Sequence, residues 1–251
     1  MRSSLTRVIA ARLPRGGRRA VRRITDRALA PVGSLRGAHT HDRVVALTYD
    51  DGPDPEHTPA VLAALARAGV RATFFPLVYR AERHPDLVRA VLDAGHEIGL
   101  HGIDHTRLTT LPNHRVVPVL AEGRARLETV TGRPVRYFRP PYGSQTLRTR
   151  LAIRRVGLDP VVWGPSARDW VDGPAAEVAG RVMDGLHPGA VVLLHDGFEV
   201  PDGDPTPAPT FDRGEVTRRL LDLLDHAGYR TTTVGELENL GAPWRTAWFR
   251  P

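Results

Sequence analysis

The sequence holds no cysteine and, although strongly basic, no lysine. The first absence excludes disulfides, thiolate metal centres and cysteine nucleophiles, and leaves the redox compartment open. The second makes all 35 basic residues arginines, set against 28 acidic ones. No run of about 18 apolar residues occurs, so no membrane-spanning helix is expected. No unbroken apolar stretch of about 7–15 residues follows the first charges either. A standard secretory signal is therefore not expected, and a cytoplasmic or membrane-peripheral location is. What is present is 251 residues with a 41 % hydrophobic share, enough for one packed domain with a tail.

The positive charge is localised. Residues 1–40 hold ten arginines and one acidic group, Asp26, whereas the rest of the chain has 25 arginines against 27 acidic residues. The high isoelectric point belongs to an N-terminal arm, and a near-neutral body gives no support to nucleic-acid binding. Within the arm, Arg18 to Leu29 places Val21, Ile24 and Ala28 near one side. This is the pattern of a basic amphipathic helix suited to an anionic membrane surface or a partner protein, or else of a solvated extension.

From residue 41 to 251 a single catalytic-type domain is expected, with strand-like and helix-like segments alternating. Strands are expected at Val44–Tyr49, Ala72–Val78, His96–Leu100, Val135–Phe138, Pro160–Trp163, Ala190–Leu194 and Thr231–Val234. Helices are expected at Pro59–Ala68, Asp86–Ala94, Leu120–Val130, Leu147–Val156, Ala175–Leu186 and Gly214–Ala227. Such alternation implies an α/β fold with about seven parallel strands. The first strand lacks a following glycine-rich phosphate loop, which favours an irregular (β/α) barrel over an open doubly wound sheet. In a barrel the working residues lie where strands end.

Those ends are polar in an ordered way. The first runs into Asp50-Asp51, two adjacent carboxylates that a strand turns to opposite sides. The third leads to His101 and His105, two imidazoles four residues apart. Together with Asp51 they make a three-ligand set with open positions, the arrangement of a catalytic divalent-metal site. The fourth ends at Arg139, followed by Pro140-Pro141, a rigid cation suited to clamping a carboxylate. The sixth ends at His195, a titratable group at the rim of an apolar run, able to pass a proton to a leaving group. Taken singly, each segment reads equally well as a turn, a surface loop or a core histidine; the set in order does not. The loop from Phe198 to Phe211 follows His195 and is placed to cover a substrate or to serve as a plain insertion.

From about Val44 to Leu237 these segments resemble the polysaccharide deacetylase family, also called the NodB homology domain or carbohydrate esterase family 4. The residues carrying the resemblance are Thr48 to Pro53, His101 to His105, Arg139 to Gly143, Arg168-Asp169-Trp170 and Leu193 to His195. Tyr49, Gly102 and Thr106 depart from the family's usual Phe, hydroxyl residue and Pro. The resemblance implies a hydrolase that removes N-acetyl groups from an amino sugar or polysaccharide, with a divalent metal, zinc by expectation. It implies Asp51, His101 and His105 as metal ligands, Asp50 as general base held by Arg139, and His195 as general acid oriented by Asp169. Tyr142 is implied as an oxyanion contact through its backbone N–H, with Trp170 and Leu193 lining the acyl pocket. The expected partner is an N-acetylated carbohydrate, not a nucleic acid, with membrane or protein contact through residues 1–40. Two other readings stay open: a metal-dependent amidase for a small non-sugar amide or imide, and a non-catalytic sugar-binding module.

Overall fold

The computed structural model describes residues 33–199 and 207–250. The arm up to residue 32, with its amphipathic stretch, and residues 200–206 of the loop after His195 lie outside the described residues. The architecture is α/β, a mostly parallel sheet curled into an irregular barrel with helices packed around it.

Its centre is β2 (Val44–Asp50), buried along its whole length. The strand is built of Val, Ala, Leu, Thr and Tyr, residues that suit a sheet covered on both faces. On one side it pairs in parallel with β7 (Ala190–His195). On the other it meets β8 (Arg230–Thr232) along its first half and β3 (Thr73–Phe75) along its second. From β3 the sheet passes to β4 (Glu97–Ile98), and a Leu100–Phe138 bridge leads on to β5 (Tyr137–Phe138) and β6 (Asp159–Pro160). A Leu35–Val161 bridge then reaches β1 (Ser34–His39), which returns to β7. Strands β2 to β8 correspond to the seven expected, and every pairing among them is parallel.

Two strands were not expected. β1 runs antiparallel to β7 and to β9 (Ala242–Thr246). Arg36 and Gly37 made β1 read as arm, yet its register buries Leu35 and Ala38, so the folded body begins at about residue 33, inside the stretch assigned to the arm. The helix expected from Leu120 starts earlier, as α4 (Asn113–Thr131), carrying Pro118 in its interior. The one expected over Ala175–Leu186 ends at Gly180 and passes into a 3₁₀ turn at Met183–Gly185.

The period of two along β2 divides the core and aims the site. Val45, Leu47 and Tyr49 face outward with Val192 and Leu194 of β7, against α1 (His57–Ala68) and α7 (Arg213–His226) through Val61, Leu65, Val216 and Leu220. Each such burial contributes about 1.5–3 kcal/mol. Val44 and Ala46 face inward, packed with Val191, Phe75, Tyr137 and Val161. Thr48 and Asp50 continue that inner face, and the register sets Asp50 directly beside His195.

Candidate active site

Asp50 ends β2 inside the barrel, 2 % exposed. Its Oδ1 accepts a 2.7 Å hydrogen bond from Nη1 of Arg139, which also donates to Thr48 Oγ1 at 2.8 Å. Arg139 follows β5 and is wholly buried, its guanidinium 4.3 Å from the Phe75 ring. Burial pulls its pKa down, opposed by Asp50. This is a buried, charge-assisted pair, and removing one partner of such a pair costs about 3–5 kcal/mol. Asp50 Oδ2 lies 3.9 Å from His101 Nε2.

At Asp51 the chain leaves the strand in the left-handed region, φ 73°, a conformation that costs a non-glycine residue about 1–2 kcal/mol. The turn carries the Asp51 carboxylate beside the two imidazoles. Its Oδ1 is 3.3 Å from His101 Nε2 and 3.5 Å from His105 Nε2. The His101 ring is oriented from behind, with Nδ1 2.8 Å from the Arg139 carbonyl. Because a carbonyl only accepts, Nδ1 donates to it, and Nε2 is turned toward Asp51. Burial alone raises the Asp51 carboxyl, but His101, His195 and His105 together outweigh it and hold it below the ordinary carboxylate range.

These three residues fit a divalent cation. Their ligand atoms lie within 4.8 Å of one another, and Asp51 Oδ1 is a buried oxygen with no hydrogen-bond partner. A tetrahedral site with bonds of about 2.0–2.1 Å has donor atoms about 3.3–3.4 Å apart, close to the two separations found. A carboxylate and two imidazoles are the nitrogen and oxygen donors that zinc and similar ions prefer.

Across the barrel mouth, His195 Nδ1 is 2.7 Å from Asp169 Oδ1, and the His195 backbone N–H donates to Asp169 Oδ2 at 2.8 Å. Burial works against the imidazolium, but Asp169, then Asp51 and Asp50, reverse it and push His195 up to about 9. The ring is thus a proton donor at neutral pH. Trp170, 40 % exposed, stands edge-on to it at 5.7 Å. Leu193 shares the inward face of β7 and is paired in register with Thr48. Tyr142 lies on the loop after Arg139, its ring 4.2 Å from the His105 ring. The structure therefore brings the expected site residues to one end of the barrel.

Three neighbours were missed. Arg213 Nη1 donates to Asp169 Oδ2 at 3.0 Å and to the His195 carbonyl at 3.1 Å. Its only sequence signal is a cation in the first turn of α7, where the helix dipole disfavours it. Asp196, 2 % exposed, is pushed up to about 7 chiefly by burial; it accepts from Thr58 Oγ1 at 2.6 Å. Nothing in the order of residues linked Thr58 to it.

Known proteins resemble this chain in sequence and in fold. The family model described as polysaccharide deacetylase matches residues 37–161. A peptidoglycan-N-acetylglucosamine deacetylase of Bacillus cereus is 33 % identical over 202 residues, 78 % of this chain and 89 % of the relative. A chitooligosaccharide deacetylase of Azorhizobium caulinodans is 35 % identical over 154 residues, 61 % and 73 % of the two chains. Among solved structures, a peptidoglycan N-acetylglucosamine deacetylase bound to 4-naphthalen-1-yl-N-oxidanyl-benzamide superposes with a TM-score of 0.74 at 25 % identity. That alignment covers 89 % of this chain and 98 % of the other. With its barrel, its ordered strand ends and these relatives in agreement, the chain belongs to the polysaccharide deacetylase family.

Proposed function

We propose that this protein hydrolyses the N-acetyl groups of an amino-sugar polymer, with peptidoglycan or a chitin-like oligosaccharide as the substrate class and zinc as its metal. One observation carries the reading: Asp51, His101 and His105 share one point, with the Asp50–Arg139 pair on one side and the His195–Asp169 pair on the other. A cation held by Asp51, His101 and His105 supplies Lewis-acid polarisation of the amide carbonyl and acidification of water.

The chain's own residues do the rest. Arg139 fixes the Asp50 carboxylate through Oδ1. Oδ2 is left to take a proton from the water that adds to the carbonyl carbon. The backbone N–H of Tyr142 meets the developing oxyanion. His195, protonated and held by Asp169, gives its proton to the departing nitrogen as the C–N bond breaks, yielding acetate and a free amine. Trp170 and Leu193 enclose the acetyl methyl. Clustering of two acid–base groups around a complete ligand set argues against a non-catalytic module. The arm's excess of arginines supports a membrane-peripheral location, tested by vesicle sedimentation of chains with and without residues 1–32.

The test is acetate release from N-acetylated oligosaccharides, peptidoglycan fragments and small N-acetyl metabolites, with and without added zinc. Release from the sugars that depends on metal is expected. Turnover confined to small non-sugar amides would transfer the site to the amidase reading.

A further inference from the structure

The turn that carries Tyr142 is held from a part of the chain that the family model does not reach. Tyr142 has φ 59° and ψ 8°, and Gly143 follows at φ 60°. Gly143 adopts this conformation freely, but at Tyr142, which carries a Cβ, it is unfavourable and has to be held by its surroundings. Within the turn, Gly143 N–H donates to the Pro140 carbonyl and Ser144 N–H to the Pro141 carbonyl, both at 2.9 Å. Around it, Thr109 Oγ1 lies 2.7 Å from Ser144 Oγ, Arg107 stacks 3.7 Å over the Tyr142 ring, and the backbone at Gly143 is met from residues 246–250. Trp248, 6 % exposed, donates its indole N–H to the Gly143 carbonyl at 3.0 Å. Its ring packs on Trp163, centroids 5.1 Å apart. A Cβ on Gly143 would stand 2.7 Å from the Trp163 ring and 3.2 Å from the Trp248 indole nitrogen, so the turn is seated against both indoles. Gln145 anchors the segment: it exchanges backbone hydrogen bonds with Arg250, and its side chain donates to the Trp248 carbonyl at 2.8 Å and to Ser34 Oγ at 2.9 Å.

We propose that Trp248 is a positioning residue for catalysis: its indole N–H locks the Gly143 carbonyl, and with it the turn that aims the Tyr142 N–H and ring at the reacting carbonyl. The proposal rests on the role assigned to Tyr142 above. The hydrogen bonds and ring contacts of Trp248 run to Gly143, Gln145, Thr246, Trp163 and Arg250, so its loss acts on orientation rather than on the ligand set or the proton donors. Misplacement of a reacting group by about 1 Å can cost a hundredfold in rate.

The test is Trp248→Phe in the full chain, which keeps a ring and removes the donor. Expected is a fall in kcat of about ten- to a hundredfold, with KM within twofold of the parent and with bound metal and the pH profile unchanged. Amide exchange across residues 142–145 should quicken, and no more than that of β2 or β7. In Trp248→Ala, added indole should restore the rate and benzothiophene, which lacks the N–H, should not. An unchanged kcat overturns the proposal, and so does unchanged exchange in the turn. So does a loss of rate that tracks loss of metal or of melting temperature, or rescue by both additives alike, since each marks Trp248 as packing alone. Exchange in the turn tests the lock without substrate, so an inactive parent enzyme with quickened exchange in Trp248→Phe would count against the proposed function and not against the lock that Trp248 places on Gly143.

Discussion

Asp50 and Asp51 are adjacent in sequence and opposite in task because a strand alternates its faces and the chain turns at Asp51. Asp50 has its inward partner, Arg139, whereas Asp51 is drawn to the imidazoles. Asp50→Asn preserves shape and leaves Asp51, His101 and His105 in place. It should lower kcat by about 10²–10⁴, the usual contribution of a general base, with metal content by elemental analysis unchanged. A normal rate would show that the base is another group. For His195 the sign follows from its partner. The acid must be protonated to act, and Asp169 raises its pKa to about 9 against burial, which lowers it. Activity should therefore fall as pH rises through that region. In Asp169→Asn the burial effect stands unopposed by its chief partner, so the alkaline limb of kcat/KM should move down by at least about one unit; an unmoved limb would detach it from His195. Asp50, Asp51 and His195 were legible in the sequence because they end apolar runs, and His101 and His105 because they follow one at ligand spacing, whereas Asp169 was reached only through the family resemblance. Arg213 was not, because its contact with Asp169 spans 44 positions and no local pattern encodes it.

At the scale of elements, the strands with unbroken apolar runs were readable, and those with mixed composition were not. β2 and β7 advertise themselves through Val, Leu and Ala buried on both faces. β9 contains a proline and an arginine and is largely exposed over its first residues, so only its pairing with β1 makes it a strand. The Asp50–Pro53 turn shows how tightly two elements fit at the site. A Cβ on Gly52 would lie 2.1 Å from Asp196 Oδ2, and one on Gly197 would lie 2.7 Å from the Asp51 carbonyl. The turn after β2 and the residues after β7 are thus in backbone contact, with no room for a methyl group. Gly52→Ala should destabilise the fold by about 1–3 kcal/mol, as overpacking does. Because the same turn carries Asp51, metal affinity should fall as well. Denaturant titration and metal content measure the two effects. Loss of stability with unaltered affinity would mean that the strain is absorbed on the Asp196 side.

Across the whole molecule, the site joins parts of the chain that fold from very different places. Asp51 follows the central strand, His101 and His105 follow β4, and the ion expected between them ties these segments together. The barrel could be anticipated from the alternation of elements, but not the irregularity of its closure, which depends on isolated bridges such as Leu100–Phe138 and Leu35–Val161 rather than on long ladders. A ligand that binds the folded chain and not the unfolded one adds stability by mass action, about 2.7 kcal/mol at a hundredfold excess over its dissociation constant. In a domain of this size, each kcal/mol moves the melting temperature by about 2–4 °C. Chelation should therefore lower the melting temperature by roughly 5–10 °C on these same scales and abolish acetate release, and added zinc should restore both. His101→Ala should lack the chelator-sensitive increment altogether, because its ion site is already broken. Equal chelator shifts in the parent and in His101→Ala would place the stabilising ion elsewhere in the protein.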